Sequence, residues 1–161
     1  MKNVEANEAY VPVEPRLEFG GLYKMLPKAA QGLIAFSNGA AEGLDKTVVH
    51  LVKIRASQMN GCAFCIAMHI QEAQHDGIEE PRLHLLSAWR EMSFFTAKER
   101  AALEWTERLT ALGHHSEDDE IYTRLQEHFS DVEIVHLTGV IAGINAWNRF
   151  GVGLRLTPQF S

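Results

Sequence analysis

Basic residues are in short supply in this chain: 15 Lys plus Arg face 21 Asp plus Glu, for a formal net charge of −6 over 161 residues. That balance excludes a sequence-independent grip on phosphate backbones, so nucleic acid is not an expected partner. Long apolar runs are absent as well. No stretch approaches the roughly 20 residues that a membrane helix needs, and no membrane partner is expected. Met1 to Arg16 lacks the charged-then-apolar pattern of an export signal, and the chain is read as soluble and cytoplasmic. Nothing alternates with the two-residue period of a strand, and no internal repeat is visible at the level of residue identity. The length suits a single domain large enough to bury a real core.

Cysteine is scarce, and both copies lie in one run, Asn60-Gly61-Cys62-Ala63-Phe64-Cys65-Ile66-Ala67-Met68-His69. If this segment is helical, Cys62, Cys65 and His69 fall within roughly 60° of one another around the axis. One stripe of one helix then carries two sulfurs and an imidazole. A reactive thiol needs a lowered pKa, and a helix N-terminus beside a proton acceptor supplies one. Asn60 is the expected N-cap, with Gly61 allowing a tight entry. Three readings fit the pattern. The pair can cycle between dithiol and disulfide, as an isolated Cys-x-x-Cys in a reducing compartment does. With His69 and another histidine it can be a zinc site, although no second Cys-x-x-Cys exists. It can also be two small buried hydrophobes.

Residues 1–21 carry Pro12, Pro15, Gly20 and Gly21 without a period and read as an N-terminal arm that packs on a neighbouring subunit; residues 22–161 read as one helical domain. Pro27 opens a first helix to Ala41. Asp45 caps a second with Val48, Val49, Leu51, Val52 and Ile54 at helical spacing to Ser57. The dithiol helix runs from Cys62 to His75 and closes at Asp76-Gly77. Pro81 opens a fourth, Arg82 to Glu91. Thr96 and Glu99 form a capping box for a helix reaching Gly113, Ser116 to Phe129 gives another, and Ser130 with Glu133 starts the apolar run Val132 to Phe150. The expected architecture is an all-α bundle of about six or seven helices. In the last helix Gly139, Ala142, Gly143 and Ala146 form a small-residue face, read as favouring an oligomer over a central core helix. Trp89, Trp105 and Trp147 are expected in the core or an interface. His114 and His115 are expected in a solvated loop.

The stretch Leu51 to Cys65 followed by His69 resembles the alkylhydroperoxidase AhpD-like branch of the carboxymuconolactone decarboxylase-like family. The likeness extends to Phe95–Leu103 with Glu107 and to Ile144–Arg149. It implies an all-helical subunit assembling into trimers or hexamers, and a peroxidase activity in which the dithiol reduces a hydroperoxide and closes to a disulfide. A dithiol donor, lipoyl-bearing or thioredoxin-like, would reopen it, and no cofactor is implied. The decarboxylase branch generally lacks the paired cysteines. Where members with a full proton relay carry a glutamate twelve residues before the first cysteine, this chain has His50. Histidine can pass a proton near neutral pH, so His50 is a candidate relay member; it also completes a possible four-ligand set with Cys62, Cys65 and His69. In the leading reading Cys65 attacks the peroxide, Cys62 resolves and His69 is the base. The rivals are a zinc-binding or oxidation-sensing oligomer and a carboxymuconolactone decarboxylase-type lyase. Glu107 and Asn148 border the site by family analogy alone.

Overall fold

A computed structural model describes residues 11–113 and 117–158 of the chain. The first ten residues of the expected arm, together with His114, His115 and Ser116, lie outside the described residues. Among those described there are eight α-helices, one 3-10 helix and no strand: α1 Phe19–Met25, α2 Pro27–Ala41, α3 Lys46–Asn60, α4 Ala63–His75, α5 Glu80–His84, the 3-10 helix Leu86–Glu91, α6 Ala97–Thr110, α7 Asp118–Gln126 and α8 Asp131–Gly153.

Local chemistry sets most of these boundaries. The Asp45 carboxylate accepts from the backbone N–H groups of Thr47 and Val48 at 2.8 and 3.2 Å and starts α3. Reciprocal capping boxes start α6 at Thr96/Glu99 and α8 at Ser130/Glu133. Glu133 also receives Lys98 at 2.8 Å, and that contact, with Ser130, pushes its carboxyl down to about 2. Two expectations change. A helix begins at Phe19, inside the stretch read as an irregular lead-in. The single helix expected over Arg82 to Glu91 is two, with Ala88 non-helical at φ −111°. A tertiary contact holds the end of the second piece: Arg100 of α6 donates to the carbonyls of Trp89, Arg90 and Met92 at 2.9, 3.0 and 3.1 Å, satisfying carbonyls that a helix end leaves open.

Helices α3 and α8 form the centre. α8 packs on α2, α3, α4, α6 and α7, while α3 also meets α4 and α6. Leu51, Val52, Ile54, Leu103, Leu137 and Ile141 are fully buried between them. The two glycines of the small-residue face of α8 are covered from within the chain. A Cβ at Gly139 would come 2.9 Å from that of Ala40, and one at Gly143 would lie 3.1 Å from Ser37 Oγ, so these glycines let α2 approach. Ala142 of the same face is exposed and not covered by α2. Trp89 is in the core, whereas Trp147 is half-buried and reaches Ser37 Oγ at 3.1 Å.

Candidate active site

Helix α3 ends where Gly61 takes φ +66°, a left-handed conformation that glycine adopts without strain. The chain turns there and α4 begins two residues later, at Ala63. Asn60 is thus the last residue of α3 and not the N-cap of α4, as had been expected; Cys62 is the N-cap, its sulfur accepting from the backbone N–H of Cys65 at 3.2 Å. The sequence Asn-Gly fits a helix end as well as a helix start, and the left-handed glycine decides between them. Asn60 ties the junction down instead: its Nδ2 donates to Asn145 Oδ1 and Asn148 Oδ1 of α8, both at 2.9 Å, and Asn148 Nδ2 donates to Ser57 Oγ at 3.0 Å. This polar cluster joins the end of α3 to α8 close to the cysteines.

Cys62 and Cys65 are joined by a disulfide of 2.10 Å, and both are buried. Gly151 of α8 lies against it. A Cβ at that position would overlap the Cys62 sulfur and come within 3.1 Å of that of Cys65. The two sulfurs differ in outlook. Cys65 lines a cavity of about 240 Å³ together with His69, Glu72 and Lys53, whereas Cys62 is not part of its wall. The remaining wall is largely apolar, with Leu22 from α1, Ile34 from α2, Phe64 from α4 and Ile144 and Trp147 from α8.

His69 is buried, and its Nδ1 lies 2.8 Å from Glu72 Oε2. Burial lowers its pKa below the ordinary 6.5, against the upward pull of the Glu72 hydrogen bond and charge. The imidazole is therefore neutral at pH 7 and, with Nδ1–H donated to Glu72, holds its lone pair on Nε2. The hydrogen bond from His69 in turn holds the Glu72 carboxyl below its usual range. Lys53, on the α3 face toward α4, is pushed below its ordinary 10.5 by burial, with Glu72 pulling it back up.

His50 stands elsewhere. Its Nε2 meets Asp76 Oδ2 at 2.8 Å, its Nδ1 is buried with no partner among the described residues, and it lines an outer cleft with Glu72, His75 and Asp76. Glu72 borders both the cleft and the cavity, so it separates the two histidines. Among the described residues no three His, Cys, Asp or Glu side chains are arranged to hold a metal ion. Glu107 is remote from the sulfurs in its contacts, paired with Arg55, Trp89 and Arg90. Three residues of the site escaped the reading of the sequence. Glu72 carried a signal, the His-x-x-Glu spacing that puts two side chains on one helix face. Lys53 and Gly151 carried none, because their neighbours are brought in by other helices.

Fold and site together define an AhpD-like helical bundle with a bonded cysteine pair. The chain belongs to the carboxymuconolactone decarboxylase family, which it matches over residues 27–108. It is 42% identical over 111 residues to YdfG of Bacillus subtilis (strain 168), covering 69% of this chain and 76% of that one. To YnjA of Escherichia coli (strain K12) it is 30% identical over 116 residues, 72% of this chain and 63% of that one. Both relatives are uncharacterized. A crystal structure from Agrobacterium tumefaciens, of a protein of unknown function suggested to be the antioxidant defence protein AhpD, superimposes with a TM-score of 0.85 at 39% identity, covering 92% of this chain and all of that one. The debrominase Bmp8 shares the fold, with a TM-score of 0.72 at 17% identity over 86% of this chain and 74% of its own.

Proposed function

We propose that the protein is a thiol-dependent hydroperoxide reductase whose nucleophile is Cys65. The observation that carries this reading is the cavity-lining Cys65 sulfur, bonded to a Cys62 that is shielded from the cavity, with the His69–Glu72 pair on the same wall. In the reduced protein His69 Nε2 accepts the Cys65 proton. The thiolate attacks the distal peroxide oxygen, the O–O bond breaks, and the proton held on His69 leaves with the alkoxide as alcohol. Cys65 is then a sulfenic acid. The Cys62 thiol attacks its sulfur, the hydroxyl leaves as water with the Cys62 proton, and the disulfide forms. An external dithiol, lipoyl-bearing or thioredoxin-like, returns two electrons and two protons. Glu72 orients His69, while His50, on the far side of Glu72, would serve as an outer proton acceptor facing the cleft. The working unit is proposed to be a trimer or hexamer in the cytoplasm.

Hydroperoxide consumption with a dithiol donor tests this, in the parent and in Cys65→Ser and Cys62→Ser variants. The parent is expected to turn over and to lose about 2 Da on oxidation, as two thiols become one disulfide. Cys65→Ser should be inert, and Cys62→Ser should accumulate a dimedone-reactive sulfenic acid on Cys65. Decarboxylation of a carboxymuconolactone-type substrate that survives loss of both cysteines would favour a lyase of the carboxymuconolactone decarboxylase type. Stoichiometric zinc with unreactive thiols would favour the metal-binding reading.

A further inference from the structure

Lys53 has no role in the mechanism above. It shares the cavity wall with Cys65, is partly buried, and makes no hydrogen bond or ion pair of its own to any described residue; Glu72, its electrostatic neighbour, is hydrogen-bonded to His69 instead. A desolvated ammonium beside an apolar cavity costs free energy unless an anion arrives to partner it. In the disulfide form Cys65 carries no charge. On reduction the same wall gains a thiolate.

We propose that Lys53 supplies the fixed positive charge that holds the reduced Cys65 sulfur as a thiolate, so that the nucleophile is a Cys65–Lys53 ion pair in the cavity while His69 and Glu72 handle the proton. This rests on the reading that Cys65, and not Cys62, is the reactive sulfur. The surroundings favour Lys53, which among the described residues is the only permanent cation on that wall. Tyr23 is the titratable group contributed by α1, Lys53 by α3, and His69 and Glu72 by α4, with His50 felt by His69 from outside; the residues of α2 and α8 lining the cavity carry no charge. His69 is neutral before it takes the proton, and Glu72 is negative and opposes a thiolate, so without Lys53 the anion would face repulsion and burial together. Reduction then completes a charge pair that oxidation leaves open, and Lys53 stabilises the dithiol state over the disulfide.

The test needs no peroxide. Iodoacetamide alkylation is followed against pH in the reduced Cys62→Ser protein, where Cys65 is the sole thiol, and in the same protein carrying Lys53→Met or Lys53→Arg. Lys53→Met is expected to raise the alkylation midpoint by about one pH unit, the lower end of what a neighbouring opposite charge does. Below both midpoints the rate at fixed pH should fall about threefold to tenfold, since a thiolate of higher pKa is scarcer but more nucleophilic. Lys53→Arg should restore the parent midpoint. Superimposable curves for Lys53→Met and the parent would overturn the proposal. A second measurement on the unmutated protein guards against a variant that misfolds: carbon-13 NMR of the lysine side chains should show Lys53 titrating at higher pH in the reduced than in the oxidised state, and equal midpoints would overturn the proposal equally. A Lys53-dependent thiol on a protein that consumes no hydroperoxide would uphold this inference and remove the peroxidase reading. Brisk turnover with unchanged alkylation curves would do the reverse.

Discussion

Lys53 and Arg55 stand two residues apart on α3, roughly 200° around its axis, and meet opposite fates. Arg55 points to the side of α6, where Glu107 Oε1 accepts its Nε at 2.7 Å and also accepts Trp89 Nε1 at 2.8 Å, while Arg90 reaches the other carboxylate oxygen. Every formal charge in that cluster has a partner. Burial pushes the Glu107 carboxyl up, and the hydrogen bonds from Trp89, Arg90 and Arg55 more than reverse it. On the opposite side Lys53 has a cavity in front of it and no ion pair of its own. A closed charge network fixes geometry, whereas a charge left open beside an apolar cavity is free to meet something that arrives or appears there.

The two sides should respond differently to mutation. Glu107→Ala leaves the largely buried Arg55 and the Trp89 N–H without their acceptor, and the expected loss is about 3 kcal/mol in urea unfolding, with thiol alkylation unchanged. Because the Glu107 carboxyl titrates below its ordinary 4.5 in the folded chain, its contribution is present above that value and disappears as pH falls through the folded one. Glu107→Gln should therefore flatten the acid limb of the stability curve below about pH 4.5. An unaltered acid limb would mean that the cluster is ornamental. Gly151→Ala comes next in size. The added methyl overlaps the Cys62 sulfur, and overpacking of this kind costs about 2 kcal/mol, read as a lowered Tm of the oxidised protein. Equal Tm values would show that α8 yields easily at the disulfide.

How much of this was legible depended on how far apart in the chain the interacting groups lie. Thr96/Glu99 and Ser130/Glu133 satisfy each other across three residues, and both helix starts were read correctly from those pairs. The spacing of Cys62, Cys65 and His69 is equally local, and the structure sets Cys62 at the N-cap of α4, Cys65 in its first turn and His69 one turn further along. The split of the expected Arg82 to Glu91 helix was not legible, and the guanidinium that holds the end of its second piece, Arg100 on the Trp89 carbonyl, comes from α6. Nor was the company of Lys53: from sequence it is a polar residue in an apolar helix, and only the packing of α4 across it brings Cys65, His69 and Glu72 to the same wall. His50 was singled out by its offset from the cysteines, which is a fact about the chain and not about the cavity; its hydrogen bond goes to Asp76 at the end of α4.

Lys53→Met sharpens the comparison from the other side. Removing an unpaired, partly desolvated ammonium should leave folding unharmed or improve it by about 0.5 kcal/mol, the opposite sign to Glu107→Ala, while the thiol becomes less reactive. A loss of stability as large as that of Glu107→Ala would show that Lys53 is structural after all.

The smallest expected effect is that of Glu72→Gln, and it separates orientation from charge. The amide oxygen of glutamine can still accept from His69 Nδ1, so the tautomer and the ring position should persist. What disappears is the negative charge, which together with the carboxylate hydrogen bond raises the His69 pKa against burial. In the variant burial acts with less opposition, and the imidazole should titrate at still lower pH. Proton NMR of the His69 ring is expected to show that downward move. The acid limb of hydroperoxide turnover should follow it to lower pH, because His69 stays neutral further down. Near pH 7 the weaker base should slow turnover by about threefold, toward the lower end of what general-base assistance contributes. Glu72→Ala, which removes the acceptor as well, should cost more than Glu72→Gln. If the two variants slow the enzyme equally, the carboxylate acts through its charge alone; if neither moves the ring titration, Glu72 is only the boundary between cavity and cleft, and His69 works without it.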